Sequence, residues 1–240
     1  MAESANRGIL HEYTYRLRLL DGPTREFRLC LDPDTLALNL ELPTEPAPWT
    51  RLEHCRCANC PLDPAEHPHC PVARNLEPVI EAFREAFSFS QAEVEIETRA
   101  RRCSQKTTLQ VGLGSLVGLV MASSGCPHLD KLRPMLVNHL PFSLLRETVY
   151  RTISMYLVAQ YFRSRRGLDP DWGLAGLKGL LDDIHEVNVG FVGRLRSLGV
   201  KDAGLNALTR LSCFADTTSF MVQGDILGDI EKYFAAYLQR

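Results

Sequence analysis

Four cysteines lie within one 16-residue segment of the 240-residue chain, and the residues between them are mainly polar. They are Cys55, Cys57, Cys60 and Cys70, in the spacing C-x-C-x2-C-x9-C. Thiolates two or three residues apart in a tight turn can point at one ion, and a fourth from the end of the loop completes the tetrahedron of a structural zinc site. The segment therefore predicts bound zinc. An iron–sulfur cluster is the alternative, because thiolates also bind iron.

A second candidate for chemistry is Cys126, within Ser123-Ser-Gly-Cys-Pro127 at the predicted start of a helix. Backbone N–H groups and the positive end of the helix dipole lower the pKa of a thiol at such a position. His139 and Glu147 follow downstream, so these three are candidate catalytic residues of a thiol-dependent enzyme or redox sensor. The other interpretation of Cys126 is a small buried residue at a helix start.

A helix predicted over residues 174–198 carries the third group of candidates. Its apolar positions recur at steps of three and four, interrupted only by Asn188, which indicates a face in the core of a helical bundle. Asp182 and His185 lie three residues apart on this helix, and Asp216 lies on a later predicted helix. We expect Asn188 to be buried and hydrogen-bonded to a neighbouring helix. The four polar residues are candidate cofactor-binding groups, although di-iron bundles need a second carboxylate–imidazole pair.

The elements that must position these residues fall into two regions. Residues 1–110 form a predicted β-rich region, because apolar and polar residues alternate in short segments, and the metal site occupies residues 50–71 within it. Residues 111–240 have helical periodicity and predict a bundle. The fold class is therefore α+β: an N-terminal antiparallel sheet with a four-cysteine metal knuckle, then a C-terminal helical bundle, integrated into one domain. The predicted strands are 13–19, 26–31, 36–42, 92–98 and 107–111. The predicted helices are 71–87, 112–123, 126–137, 142–166, 174–198, 202–221 and 225–238.

Glycines in the string Val111-Gly-Leu-Gly-Ser-Leu-Val-Gly118 raise the question of a dinucleotide-binding loop. The required second strand ending in an acidic residue does not follow. The glycines are therefore predicted to let a helix pack closely on the sheet.

Composition limits the class of protein. Lys and Arg number 27 and Asp and Glu 29, so the formal net charge is −2, which argues against a nucleic-acid partner. The longest apolar run, from Val111 to Ala122, is 12 residues, too short to span a bilayer. The first residues lack the pattern of a secretory signal, so the expected location is cytoplasmic, where clustered cysteines indicate metal binding more than disulfides. A protein partner or a second copy of the chain stays open.

Several short strings resemble those of an uncharacterised bacterial family, a domain of unknown function. The strings are Cys57-x-x-Cys60-Pro-Leu, Cys70-Pro-Val-Ala-x-Asn-Leu, Ser124-Gly-Cys-Pro127, Pro134-Met-x-x-x-His-Leu-Pro-Phe142 and Glu147-Thr-x-Tyr-Arg151. The resemblance covers roughly residues 50–235. It implies a single bacterial domain and no particular activity.

Two functions fit these observations. The first is a zinc-stabilised, non-enzymatic binding or regulatory protein, because the four-cysteine set is closed and no catalytic template is complete. The alternative is a thiol-dependent enzyme or redox sensor that uses Cys126 with His139, or an iron–sulfur cluster at the cysteine segment.

Overall fold

The structure, a computed structural model, describes residues 11–20, 22–211 and 226–239. Within these ranges an N-terminal antiparallel sheet is combined with a mainly helical C-terminal part, as the α+β pattern predicts. Asp216 lies outside the described residues, so its expected place beside the bundle core stays a prediction.

The five strands form one antiparallel sheet in the order β3-β2-β1-β4-β5. Tyr13, Tyr15 and Leu17 of the central strand are buried against the helices. On the opposite face Arg16 forms ion pairs with three glutamates of the neighbouring strands, so that face is polar. The strands are β1 (His11–Leu19), β2 (Thr24–Leu31), β3 (Leu38–Asn39), β4 (Gln91–Thr98) and β5 (Arg102–Thr108).

Two strands differ from the sequence-based prediction. β3 is reduced to two residues, and its neighbour Leu36 has a left-handed φ of 57°, which an extended strand does not allow. β5 covers Arg102–Thr108 instead of 107–111, and α2 begins directly after it. This strand is polar and largely exposed at the sheet edge, so hydrophobic alternation does not mark it.

The helices vary widely in length. The predicted helix over 126–137 is replaced by a 3-10 turn at Leu129–Leu132 and a single turn of α-helix, because Pro127 and Pro134 cannot donate the N–H groups of a continuous helix. Bounds are α1 (Pro71–Ala82), α2 (Leu109–Ser123), α3 (Pro134–Val137), α4 (Leu145–Arg165), α5 (Ala175–Arg196), α6 (202–211), α7 (Ile226–Glu231) and α8 (Ala235–Leu238).

α2 packs directly on the sheet at a glycine. A Cβ atom on Gly112 would lie 2.6 Å from Cγ2 of Val94 and 3.4 Å from Cδ2 of Leu17, so no larger residue fits without movement of the sheet. Buried side chains of the sheet and of the helices form one hydrophobic cluster. No helix of the described chain combines the length and the apolar character needed to cross a membrane.

The inward face of α5 is confirmed over most of its length. The buried members of the predicted series are Leu177, Leu181, Ile184, Asn188, Phe191 and Leu195, and the neighbouring Leu180 and Val187 are buried as well. The same helix buries Arg194, whose side chain is 1% exposed, which the sequence pattern did not predict. The helix therefore carries two buried polar side chains, each at a different site described below.

Candidate functional site

A cavity of about 550 Å³ lies between α2, α4, α5, α6 and the segment 129–145. Small-molecule sites commonly measure about 300–1,000 Å³ and are mainly apolar, with a few polar groups that orient the ligand. Most of this wall is aliphatic, with side chains such as Leu119, Leu136, Leu145, Leu181, Ile184 and Leu211. The cavity is therefore of the size and character of a small-molecule site.

Small residues on one face of α2 leave the room for this cavity. Gly114, Gly118 and Ala122 all line it. Among the described residues, a Cβ atom on Gly118 would meet the side chain of Leu211, at 3.5 Å, which is ordinary contact. The helical string of glycines thus serves two purposes, since Gly112 permits contact with the sheet while the others border open space.

Asn188 places its amide in the cavity wall. The residue is 3% exposed and lines the cavity, and its side chain makes no hydrogen bond to any described residue. Its amide atoms are not enclosed by the protein, so a molecule in the cavity can hydrogen-bond to them. The predicted burial of Asn188 is confirmed, whereas no described residue supplies the predicted hydrogen bond from a neighbouring helix.

A neutral hydrogen-bonded cluster forms another part of the wall. Nε2 of His139 lies 2.5 Å from the hydroxyl of Tyr15 and 3.3 Å from the hydroxyl of Ser115. Burial, with a smaller contribution from the nearby Arg151 guanidinium, lowers the pKa of His139 to about 3. Burial also raises the pKa of Tyr15, although the hydrogen bond from Ser115 opposes this. All three side chains are therefore uncharged at neutral pH.

We expect His139 to make the stability of the fold dependent on pH. An unfolded histidine has a pKa of about 6.5, so below that pH the unfolded chain binds a proton that the folded chain does not. The free energy of unfolding should fall by about 1.4 kcal/mol per pH unit as the pH drops below about 6 toward 3. Urea unfolding at pH 7, 6 and 5 measures this slope before most carboxylates titrate. The His139→Gln variant should have a flatter profile, and an equal slope in both proteins would contradict the prediction.

Arg151 supplies positive charge to the cavity. Its Nη2 donates to the carbonyl oxygens of Met135 and Asn138, at 2.9 Å each, at the end of α3. Burial lowers the pKa of this guanidinium and Glu147 opposes the shift, but an arginine stays protonated at neutral pH. Arg151 therefore places one positive charge in the described part of the cavity wall.

The other predicted site residues have different roles. Glu147 accepts a hydrogen bond from the backbone N–H of Leu144 at 2.7 Å and so caps the start of α4. Asp182 is exposed and pairs with Lys178 at 2.6 Å, and the partly exposed His185 does not line the cavity. Of the described members of the expected polar network, Asn188 is the one that lines the cavity, and Asp216 lies outside the described residues.

Cys126 and His139 lie in different surroundings, so the structure does not assemble the expected thiol–imidazole pair. His139 contacts Tyr15 and Ser115, whereas Cys126 lies near Cys60 and Cys70, whose thiols raise its pKa. Burial is the larger cause of that rise, and it outweighs the N–H groups at the following turn, which act in the opposite direction. A raised pKa suppresses the thiolate that a nucleophile needs.

The cysteines separate into one exposed residue and one buried group. Cys55 is exposed with a left-handed φ of 48°, whereas Cys70 is buried and Cys57, Cys60 and Cys126 are partly buried. Burial raises the pKa of Cys57 to about 12, and the thiols of Cys70, Cys126 and Cys60 add to this rise. Cys57, Cys60, Cys70 and Cys126 thus lie near enough to one another for their thiols to interact electrostatically, whereas Cys55 is not among the residues that act on them.

Among the described residues, no group of three or more His, Cys, Asp or Glu side chains is arranged to hold a metal ion. The structure therefore does not show the predicted four-cysteine metal knuckle at Cys55, Cys57, Cys60 and Cys70. The turn that contains Cys57 is nevertheless closely packed against α5, since Gly190 has no room for a Cβ atom beside the sulfur of Cys57.

The described residues form a mixed α/β protein with an N-terminal antiparallel sheet and a mainly apolar cavity among its helices. No curated protein and no solved structure matches the chain. The chain belongs to a family described as a domain of unknown function (DUF6901), whose model matches residues 13–235.

Proposed function

We propose that this protein is a non-enzymatic binding protein whose ligand occupies the cavity between α2, α4 and α5. The observation that carries the proposal is the cavity itself, about 550 Å³ in volume with a mainly aliphatic wall that includes the amide of Asn188. A small-molecule site commonly combines an apolar wall with a few polar groups that orient the ligand, and Asn188 is such a group.

The residues that line the cavity indicate the chemical class of the ligand. The aliphatic surface of the wall favours an apolar body, since burial of apolar surface is the main favourable term of binding. The guanidinium of Arg151, which lines the same wall, favours a negative charge at one end. An amphipathic carboxylate, such as a medium-chain fatty acid, satisfies both requirements.

Binding is a better description than catalysis. Ser115 lies 3.3 Å from Nε2 of His139, the arrangement of a nucleophile and its base. However, the same nitrogen is closer to Tyr15, and a pKa of about 3 makes this imidazole too weak a base to activate a serine at neutral pH. The cluster therefore serves as a neutral hydrogen-bonding surface.

The proposal also includes a structural zinc ion bound by cysteine thiols, in a cytoplasmic chain whose thiols stay reduced. The support for a zinc site is the proximity of Cys57, Cys60, Cys70 and Cys126. The segment that follows Cys126 supplies Leu129 and Leu132 to the cavity wall. A metal bound beside Cys126 would therefore hold one side of the cavity in place.

The binding proposal predicts opposite behaviour for two substitutions at one position. Gly118→Leu fills part of the cavity and should weaken the binding of decanoate by at least about tenfold, or about 1.4 kcal/mol. Gly118→Ala is the matched control, since it has the same helix-stabilising effect but adds only a methyl group. Isothermal titration calorimetry on the native chain and both variants measures the affinity.

The native chain should bind one decanoate, and Gly118→Ala should bind it almost equally well. Circular dichroism verifies that Gly118→Leu keeps its helices. Equal affinity in Gly118→Leu, or no saturable binding by the native chain, would contradict the proposal.

A further inference from the structure

Four cysteines from three separate segments lie near one another, and one of them, Cys57, contacts α5. Cys57 and Cys60 belong to one turn, closed by a backbone hydrogen bond of 3.1 Å from the N–H of Cys60 to the carbonyl of Cys57. Cys70 directly precedes α1, and Cys126 precedes the 3-10 turn Leu129–Leu132. All four pack against the hydrophobic core, so the group is internal.

Polar contacts fix these segments against one another. Nε2 of His128 donates to the carbonyl oxygen of Asn59 at 2.7 Å, which joins the Cys57–Cys60 turn to the Cys126 segment. The side-chain amide of Asn75 donates to the carbonyl oxygens of Pro71, at 2.8 Å, and Ser124, at 3.4 Å. The start of α1 is thereby tied to the same segment, so the proximity of the thiols follows from the backbone.

α5 closes the group from the other side. The thiol of Cys57 lies 3.8 Å from the carbonyl oxygen of Val187. At Gly190 a Cβ atom would come within 2.7 Å of the same sulfur, so a glycine is required for this approach. The amide of Asn59 also donates to the carbonyl of Asp183 at 3.0 Å, which holds the turn on the helix.

We propose that Cys57, Cys60, Cys70 and Cys126 together bind one zinc ion, and that Cys55 is not a ligand. Four sulfur ligands suit structural zinc, and ligands from three segments would join the sheet side of the fold to the helical side. The inference rests on the zinc part of the proposed function and is independent of the cavity.

A buried zinc site with four thiolates is negatively charged, and the positive charge of Arg194 lies nearby. Zinc with four thiolates carries a net charge of −2, which is costly to bury without a cation. The guanidinium of Arg194 is 1% exposed and close enough to favour the thiolates of Cys57 and Cys70. Backbone N–H groups of Ala73 and Val72, at the start of α1, act in the same direction on Cys70.

Metal binding requires a local adjustment of the side chains. No group of three or more potential ligands is arranged for a metal among the described residues. Rotation about χ1 between staggered positions moves a cysteine sulfur without moving the backbone. The backbone contacts between the three segments are therefore compatible with the metal-free and the zinc-bound protein.

Metal content in two matched variants tests the proposal. The native chain, Cys55→Ser and Cys126→Ser are produced with added zinc, and zinc per chain is measured by mass spectrometry of the elements. The native chain and Cys55→Ser should each hold about one zinc. Cys126→Ser should weaken zinc binding by more than about tenfold, because loss of even an outer partner of a zinc ligand has that effect.

Cobalt provides a second readout in case Cys126→Ser folds poorly. The visible spectrum of cobalt bound to the native chain should be that of a tetrahedral four-thiolate site, and Cys55→Ser should not change it. Loss of metal in Cys55→Ser, with retention in Cys126→Ser, would overturn the inference and leave the zinc part of the proposed function standing. Iron with visible absorbance, or no metal in the native chain, would overturn both, while the decanoate measurement judges the cavity separately.

Discussion

Replacement of Arg194 by alanine is expected to lower the free energy of unfolding by at least about 3 kcal/mol, because each hydrogen bond from a charged donor contributes about 1.5–3 kcal/mol. Nη1 of Arg194 donates to the carbonyl oxygens of Trp49, at 2.5 Å, and Arg51, at 2.6 Å. Nη2 donates to the carbonyl of Leu52 at 3.3 Å. The substitution leaves these carbonyls without their donors and opens a void in the core.

Urea unfolding followed by circular dichroism measures this loss. Arg196→Ala is the matched control, since Arg196 is exposed on the same helix and its removal should change stability by less than about 0.5 kcal/mol. Similar effects of the two substitutions would show that the buried guanidinium does not anchor residues 49–52 to α5.

Asn188→Leu is expected to separate ligand binding from stability. Leucine in place of this amide buries more apolar surface in the cavity wall, so the free energy of unfolding should stay the same or rise. The same change should weaken decanoate binding by about fivefold to tenfold, since the ligand loses one hydrogen bond of about 1–1.4 kcal/mol. Chemical unfolding and calorimetry on the same preparations give the two quantities.

Val189→Leu provides the control for this variant. Val189 is 47% exposed, so the same new side chain is added outside the cavity and neither quantity should change much. A fall in stability of Asn188→Leu would show that the amide is paired in a structural network. Unchanged decanoate affinity in Asn188→Leu would remove Asn188 from the binding site.

The segment from Cys126 to Leu132 connects the two proposed sites. Cys126 belongs to the thiol group, while Leu129 and Leu132 line the cavity. The backbone N–H of Asp130 donates to the carbonyl of Cys126 at 2.9 Å, so this segment is a compact turn. A metal bound at the thiols and a ligand bound in the cavity would therefore stabilise the same piece of backbone from opposite sides.

Local patterns in the sequence were sufficient for much of the architecture. Alternation of apolar and polar residues located β1, β2 and β4, because a sheet with one buried face imposes a period of two. Pro71 marked the start of α1, and the steps of three and four marked the inward face of α5. β5 was displaced in the prediction, because it is exposed on the sheet edge and carries no such pattern.

The candidate site was only partly visible in the sequence. Asn188 stood out as the one polar residue in an apolar series, and its burial followed from that position. Arg151 and Ser115 had no comparable signal, since an arginine or a serine on a helix is ordinary. The signal in the sequence for the cavity is the glycine string of α2, because Gly118 and its small neighbours leave space beside the helix.

The tertiary structure alone decided the contacts between residues that are far apart in the chain. Spacing within one segment suggested Cys55 as the fourth thiol, but its left-handed backbone leaves it exposed, while Cys126 arrives from beyond α2. His139 is neutral because folding buries it beside Tyr15, and Arg194 is buried because it meets carbonyls of residues 49–52. The sequence thus determined which surfaces turn inward, through local periodicity. Only long-range packing decided which polar groups those surfaces bring together.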